Sequence, residues 1–170
     1  MSGEEIIEGF MSAAGNDVTV MGGVAGNPAD FSGIIFTNNA SSTGGLLALI
    51  IDKEKINIKG MAVSGWKPSG TEKQITESEG AWVFTIDNEP TMNVIQKYLG
   101  KEITFNSVYT AAIDDTTQPS GLVPLDSGYP LQFQRASGSP LIRPVVLWNT
   151  ANNSVMVGGN VRPTDKFRFS

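Results

Sequence analysis

The chain has 170 residues, 40% of them hydrophobic and 17% charged, which gives enough interior for one ordinary domain and too little charge for a disordered one. Its formal net charge is −5 and its basic residues are scattered, so the positive surface that binds a nucleic-acid backbone is missing. Cysteine and histidine are both absent, which removes disulfides, thiolate chemistry, Ser-His-Asp and Cys-His hydrolases and the usual nitrogen-ligated zinc sites.

Ser2-Gly3-Glu4-Glu5 reads as a capping box. Ile6, Ile7, Phe10, Met11 and Ala14 then recur at helical spacing, and Gly15 closes the helix. Asn16-Asp17 turns the chain into a strand over Val18–Met21, followed by the glycine-rich GGVAGN, Gly22 to Asn27, and by Pro28-Ala29-Asp30. Phe31–Thr37 and Leu46–Asp52 read as strands joined by the polar loop Asn38–Gly45. Lys53-Glu54-Lys55 is so short a connection that Ile56–Val63 has to run antiparallel to the strand before it. That strand is expected to carry Ser64-Gly65-Trp66-Lys67-Pro68 at its mouth.

Gln74–Ser78 suits a short strand and Ala81–Asp87 a longer one, with Trp82, Phe84 and Ile86 on one face and Val83 and Thr85 on the other. Asp87-Asn88-Glu89-Pro90 turns into a second helix, capped by Thr91, with Val94, Ile95, Tyr98 and Leu99 inward and Gly100 as its stop. Beyond Gly100 the composition shifts, and within Lys101–Ser127 the run Asp114-Asp115-Thr116-Thr117-Gln118-Pro119-Ser120-Gly121 reads as a mobile loop or subdomain link. Strands follow at Tyr129–Arg135, Leu141–Trp148, Ser154–Val157 and Lys166–Phe169, with a hairpin turn at Ala151-Asn152-Asn153. The longest apolar run, Leu46–Ile51, is far too short to span a membrane, and the acidic first residues are unlike a signal peptide.

Several residues admit both a functional and a structural reading. The glycines of GGVAGN suit an anion cradle or, more simply, a tight packed turn. No helix is expected directly after them and no Walker lysine follows, so a dinucleotide or P-loop site does not fit. Trp66 suits an aromatic wall of a small pocket or a core or lid residue. Lys67 suits a carboxylate partner or a solvated turn residue. Glu77 and Glu79 lie two apart on a strand, and Asp114-Asp115 lacks the spacing of a calcium loop. Arg143 stands among apolar residues just before Pro144, where a buried guanidinium needs a carboxylate from the protein or from a ligand.

Taken together, VMGGVAGN (Val20–Asn27), AVSGWKPSG (Ala62–Gly70), QITESEG (Gln74–Gly80) and FTIDNEPTMNVIQKYLG (Phe84–Gly100) resemble the FIST domain, a sensory module of prokaryotic signalling proteins. YPLQF (Tyr129–Phe133) and LIRPVVLWNTANNSVMVGGNVRPTDKFRF (Leu141–Phe169) resemble the start of that module's C-terminal part. Members of the family usually carry further elements before Met1 and beyond Ser170, so the resemblance implies a fragment or a shortened relative. They also often have His or Gln where this chain has Ser64.

The expected fold is α+β, with mostly antiparallel strands and two principal helices; an N-terminal-type region over 1–100 and a linker with the start of a C-terminal-type region over 101–170 are expected to pack as one globular unit. The resemblance implies a cytoplasmic sensory domain that binds a small molecule, such as an amino acid or similar carboxylate, and signals to an output domain or protein. The binding residues expected are Gly23, Gly26, Asn27, Ser64, Gly65, Trp66, Lys67 and Arg143, with no cofactor, no metal and no catalytic residue. Two alternatives remain at this point. One is an interaction module without a small ligand, and the other is an enzyme using Glu77 or Glu79 with Lys67.

Overall fold

The apolar spacing of Gly3–Ala14 makes the expected helix, α1, whose acidic first turn (Glu4, Glu5) suits the positive end of the helix dipole. The computed structural model describes residues 3–15, 17–26, 32–100, 121–125, 128, 130–135 and 139–170, and the chain forms two units, Met1–Ala62 and Val63–Ser170. Ser2 of the capping box, Asn16, Asn27, Pro28-Ala29-Asp30, Phe31, Asp114-Asp115 and Tyr129 lie outside the described residues.

In the first unit α1 ends where the Gly15 amide donates to the Met11 carbonyl at 2.9 Å. Only a short ladder follows, with Ile35–Phe36 (β1) pairing antiparallel with Ser41–Ser42 (β2). The turn at Asp52 forms as its sequence suggests, its carboxylate accepting the Glu54 amide at 3.0 Å and its carbonyl accepting the Ile56 amide at 3.0 Å. The flanking segments do not become strands, and neither does Val18–Met21. This corrects three expected strands: β-branched composition favours a strand only where a partner ladder and a covering layer are present. Their side chains stay open to solvent instead, with Leu49 84% and Ile50 92% exposed.

The second unit is built differently. Ser69–Glu79 (β3) runs eleven residues, far longer than the Gln74–Ser78 segment expected. Its first part pairs with Lys166–Phe169 (β11), Lys73 opposite Phe167, and its second with Trp82–Ile86 (β4), Ile75 opposite Ile86. A polar sequence forms this strand because its backbone has a partner on each side in turn.

Asp87 and Asn88, both with positive φ (51° and 64°), make the two-residue turn from β4 into Glu89–Pro90 (β5), the geometry that hairpins favour. Helix α2, Thr91–Leu99, follows with Pro90 at its N-cap position and no side-chain cap. Thr91 therefore does not cap as expected. It is fully buried, and its hydroxyl donates to the Val83 carbonyl at 3.0 Å, fastening the helix to β4. Just past the expected loop Asp114–Gly121, Leu122–Pro124 (β6) is an unexpected strand, paired with Val145–Asn149 (β9). Leu131–Phe133 (β7) lies between Leu141–Arg143 (β8) and β11. Ser154–Val157 (β10) joins β9 to β4.

All nine strands of this sheet pair antiparallel, in the order β6-β9-β10-β4-β3-β11-β7-β8 with β5 beside β4. β8 and β9 are separated by Pro144 alone. The proline has no amide to donate and interrupts the ladder, but its carbonyl still accepts the Gly158 amide at 2.8 Å. One interrupted strand therefore pairs with β7 in its first part and β10 in its second, and the strand order returns on itself as a closed ring. Inside it the aromatic and β-branched positions meet: Ile75, Val83, Ile86, Leu131, Phe133, Val145, Val155, Val157, Phe167 and Phe169 are buried, with Met92, Val94 and Ile95 of α2 in the same cluster. The fold is α+β, as expected.

At the β4–β5 turn, Asp87 accepts the Gln74 amide at 3.0 Å and the Lys73 ammonium at 2.9 Å. Burial pushes its carboxyl up, but the Lys73 and Gln74 hydrogen bonds and the Lys73 charge outweigh it and hold the group below the usual carboxylate value. A depressed folded-state value stabilises the fold above the unfolded-state value, and the effect fades as pH falls through the folded one. Asp87→Asn is expected to lower stability at pH 7 by about 1 kcal/mol or less, because the pair is partly exposed. In parallel denaturation curves the gap to the parent protein should close as pH drops below about 4.

Candidate functional site

The turn before β3 is organised by its own side chains. Ser64 Oγ accepts the Trp66 amide at 3.1 Å, a local bond typical of serine turns. Trp66 is 44% exposed, and Gly65 and Lys67 are exposed beside it. Four residues past Trp66, Gly70 takes φ +70°, and a Cβ there would come within 2.7 Å of the Tyr98 ring. Tyr98 in turn stacks on Phe169 with centroids 4.2 Å apart. The start of β3 is thus seated on α2 and β11, which fixes where the turn emerges. Ile56–Val63 forms no strand, so Ser64–Pro68 leads into a strand instead of closing one, and the expected strand mouth is corrected to a strand entrance.

Gly23 and Gly26 belong to the first unit. Neither takes a positive φ, and each has open space where a Cβ would stand. The backbone there makes no demand for glycine.

Arg143 sits at the end of β8, on the seam where the ring closes, and is only 6% exposed. Its Nη1 donates to the Gly158 carbonyl at 3.1 Å, and its guanidinium lies 5.9 Å from the centroid of the Phe133 ring. A backbone carbonyl and an aromatic face thus contribute to the compensation that a buried guanidinium requires. The residue is among those that line a hollow of about 190 Å³, with Phe133, Gln134, Arg135, Leu141, Asp165 and Lys166.

That lining contains none of Ser64, Gly65, Trp66 and Lys67. Sequence reasoning singled out Arg143 and gave no notice of Arg135, Asp165 and Lys166, which line the same hollow. Only the pairing of Phe133 with Leu141 on one side and Phe167 on the other brings them together. The alternation of Phe167 and Phe169 was the one available signal, since it puts Lys166 on the opposite face from the core.

Arg143 shares the face of Phe133 and Leu141, a cation beside apolar walls that suits a small anion with a carbon skeleton, while the Lys166 side chain turns to the other face and pairs with Glu72 at 3.2 Å. Among the described residues that line it there is no serine, threonine or cysteine nucleophile. Glu77 and Glu79, the carboxylates of the enzyme alternative, are exposed on β3, without the enclosing cleft that such a role needs. Among the described residues no group of three or more Asp or Glu could hold a metal ion, and no helix is long and apolar enough to cross a membrane.

Comparison with protein families matches residues 1–89 to the FIST N domain. No curated protein and no solved structure matches the chain. The match takes in VMGGVAGN, AVSGWKPSG and QITESEG, whereas Arg143 and its hollow lie beyond it. Because it covers just over half of the 170 residues, the chain belongs to the FIST family, a family of sensory-type domains of signal transduction.

Proposed function

We propose that this chain is the ligand-binding part of a cytoplasmic sensory protein of prokaryotic type, taking a small carboxylate such as an amino acid and passing the signal to an output domain or protein. The observation that carries this reading is Arg143: a buried arginine, 6% exposed, among the residues that line a hollow of about 190 Å³. A guanidinium is a rigid planar fork matched to a carboxylate, and Nη1 of Arg143 is held in place by the Gly158 carbonyl.

The test is a titration with single amino acids and short carboxylates at millimolar concentration, followed by thermal midpoint. A ligand at a hundred times its Kd should stabilise the fold by about 2.7 kcal/mol. Arg143→Lys keeps the charge but loses the fork and should weaken binding by about tenfold. Absence of any midpoint shift across the series would count against the proposal.

A second reading, a protein-interaction module, draws support from the first unit, where Leu47, Leu49, Ile50 and Met61 are each more than half exposed. It predicts that replacing Leu49 and Ile50 with polar residues abolishes partner capture without altering the titrations.

A further inference from the structure

We infer that the apolar face around the β1–β2 ladder pairs with the same face of a second copy of this chain, Leu49 or Ile50 of each copy filling a hollow in the other. This rests on the second reading above, a protein-interaction module, and names its partner.

The hollow lies within the first unit and holds about 140 Å³. Its apolar walls are Ile35 and Phe36 of β1, Ala40 beside β2, and Leu46 and Leu47. A leucine removed from a packed core leaves a void on the order of 150 Å³, so one branched aliphatic side chain fits the space. Two such side chains follow the wall residues within four positions: Leu49 is 84% and Ile50 92% exposed. A knob that close to a hollow of its own size makes the face self-complementary, as a two-fold contact requires.

Area and charge favour the same partner. Phe36, Leu46, Leu47, Leu49 and Ile50 are each at least half exposed. Together they offer roughly 700 Å² of apolar surface, close to the ~800 Å² that each partner contributes to a stable interface. From Ser32 to Ile51 the chain carries no Asp, Glu, Lys or Arg, although its net charge is −5. Two acidic copies therefore meet here without setting like charges together, whereas a charged partner finds nothing to recognise. The ladder itself is only two residues long on each strand, too short to be firm in water without a covering layer.

The experiment is sedimentation velocity on the full chain from low to high micromolar concentration. A reversible dimer is expected, and Leu49→Asp and Ile50→Asp should each weaken it by at least tenfold. Both side chains are nearly open to solvent, so an unchanged far-UV circular dichroism spectrum should accompany the loss. The chain has no cysteine, so an introduced one can form a disulfide only with another copy. Mixing Leu49→Cys with Ala40→Cys chains under oxidising conditions should give the mixed disulfide in preference to either symmetric one.

A single-chain mass at every concentration would overturn the inference. If the polar substitutions still abolished partner capture, the interaction reading would stand with a different protein as partner; if they did not, both would fall. Species growing beyond the dimer with concentration would overturn the two-fold pairing. A dimer indifferent to both aspartates would overturn its placement on this face, and symmetric disulfides as abundant as the mixed one would overturn the fit of Leu49 into the hollow.

Discussion

Gly159→Ala is expected to destabilise the Val63–Ser170 unit by about 2–4 kcal/mol, a large share of the 5–15 kcal/mol that holds a typical domain folded. Two costs combine at this position. Gly159 has φ +133°, a conformation that L side chains rarely adopt. A Cβ there would also run into Nη1 of Arg143, which cannot withdraw freely because it is bonded to the neighbouring Gly158 carbonyl and lies over Phe133.

A double-mutant cycle separates the two costs. In an Arg143→Ala background the collision disappears and only the backbone strain remains, so adding Gly159→Ala should cost about 1–2 kcal/mol there. Gly65→Ala serves as the control, since a Cβ at Gly65 meets nothing within 4 Å, and it should change stability by less than about 0.5 kcal/mol. Chemical denaturation of the parent, the two single variants, the double variant and the Gly65→Ala control reads all of these values. Equal costs for Gly159→Ala with and without Arg143 would show that the guanidinium does not fill the space against Gly159.

What the sequence disclosed, and what it concealed, divides along local and non-local interactions. Both helices could be read because their signal is local: apolar residues every three or four positions, with Gly15 and Gly100 just beyond their ends. The turns at Asp87-Asn88 and Asn152-Asn153 were legible for the same reason. Asn152 accepts the Ser154 amide at 3.1 Å within its own hairpin, and such bonds need no distant partner.

Strands carry no such self-sufficient signal. Leu46–Ile51 has stronger strand character than Ser69–Gln74, yet the apolar segment forms no strand and the polar one is half of the longest described. The difference lies in the partner: Ser69–Gln74 has β11 beside it, ninety residues or more further along. The site follows the same rule. Arg143 stood out because a charge inside an apolar run is a local anomaly. Arg135 and Lys166 are ordinary surface residues until the ring closes and sets them round the same hollow. Thr91 was misread because a threonine at a helix start looks like a cap, and only the fold shows its hydroxyl turned to Val83.

Phe167→Ala is the largest single loss expected, about 3–5 kcal/mol. Phe167 is 1% exposed. Its ring sits 5.6 Å from Phe133 and 5.5 Å from Phe169, to which it is edge-on, an arrangement that adds to simple burial. The surroundings cannot collapse into the gap easily. Phe133 and Phe167 are opposite one another in the β7–β11 ladder, and Phe169 is held against Tyr98, so most of the vacated volume stays as a cavity and its cost is felt in full.

Phe167→Leu keeps most of the volume and should cost about 1–2 kcal/mol. The substitution also reaches the hollow without touching it. Phe133 is both a neighbour of Phe167 and a wall of the hollow, with the Arg143 guanidinium resting on its ring. Freed on its buried side, that ring no longer fixes the guanidinium against one orientation. Phe167→Leu, measured under conditions where it stays folded, should therefore weaken carboxylate binding by about two- to fivefold with every charge still in place. Unaltered affinity in that variant, alongside the expected loss of stability, would separate the core from the site and leave the β-sheet backbone alone to position Arg143.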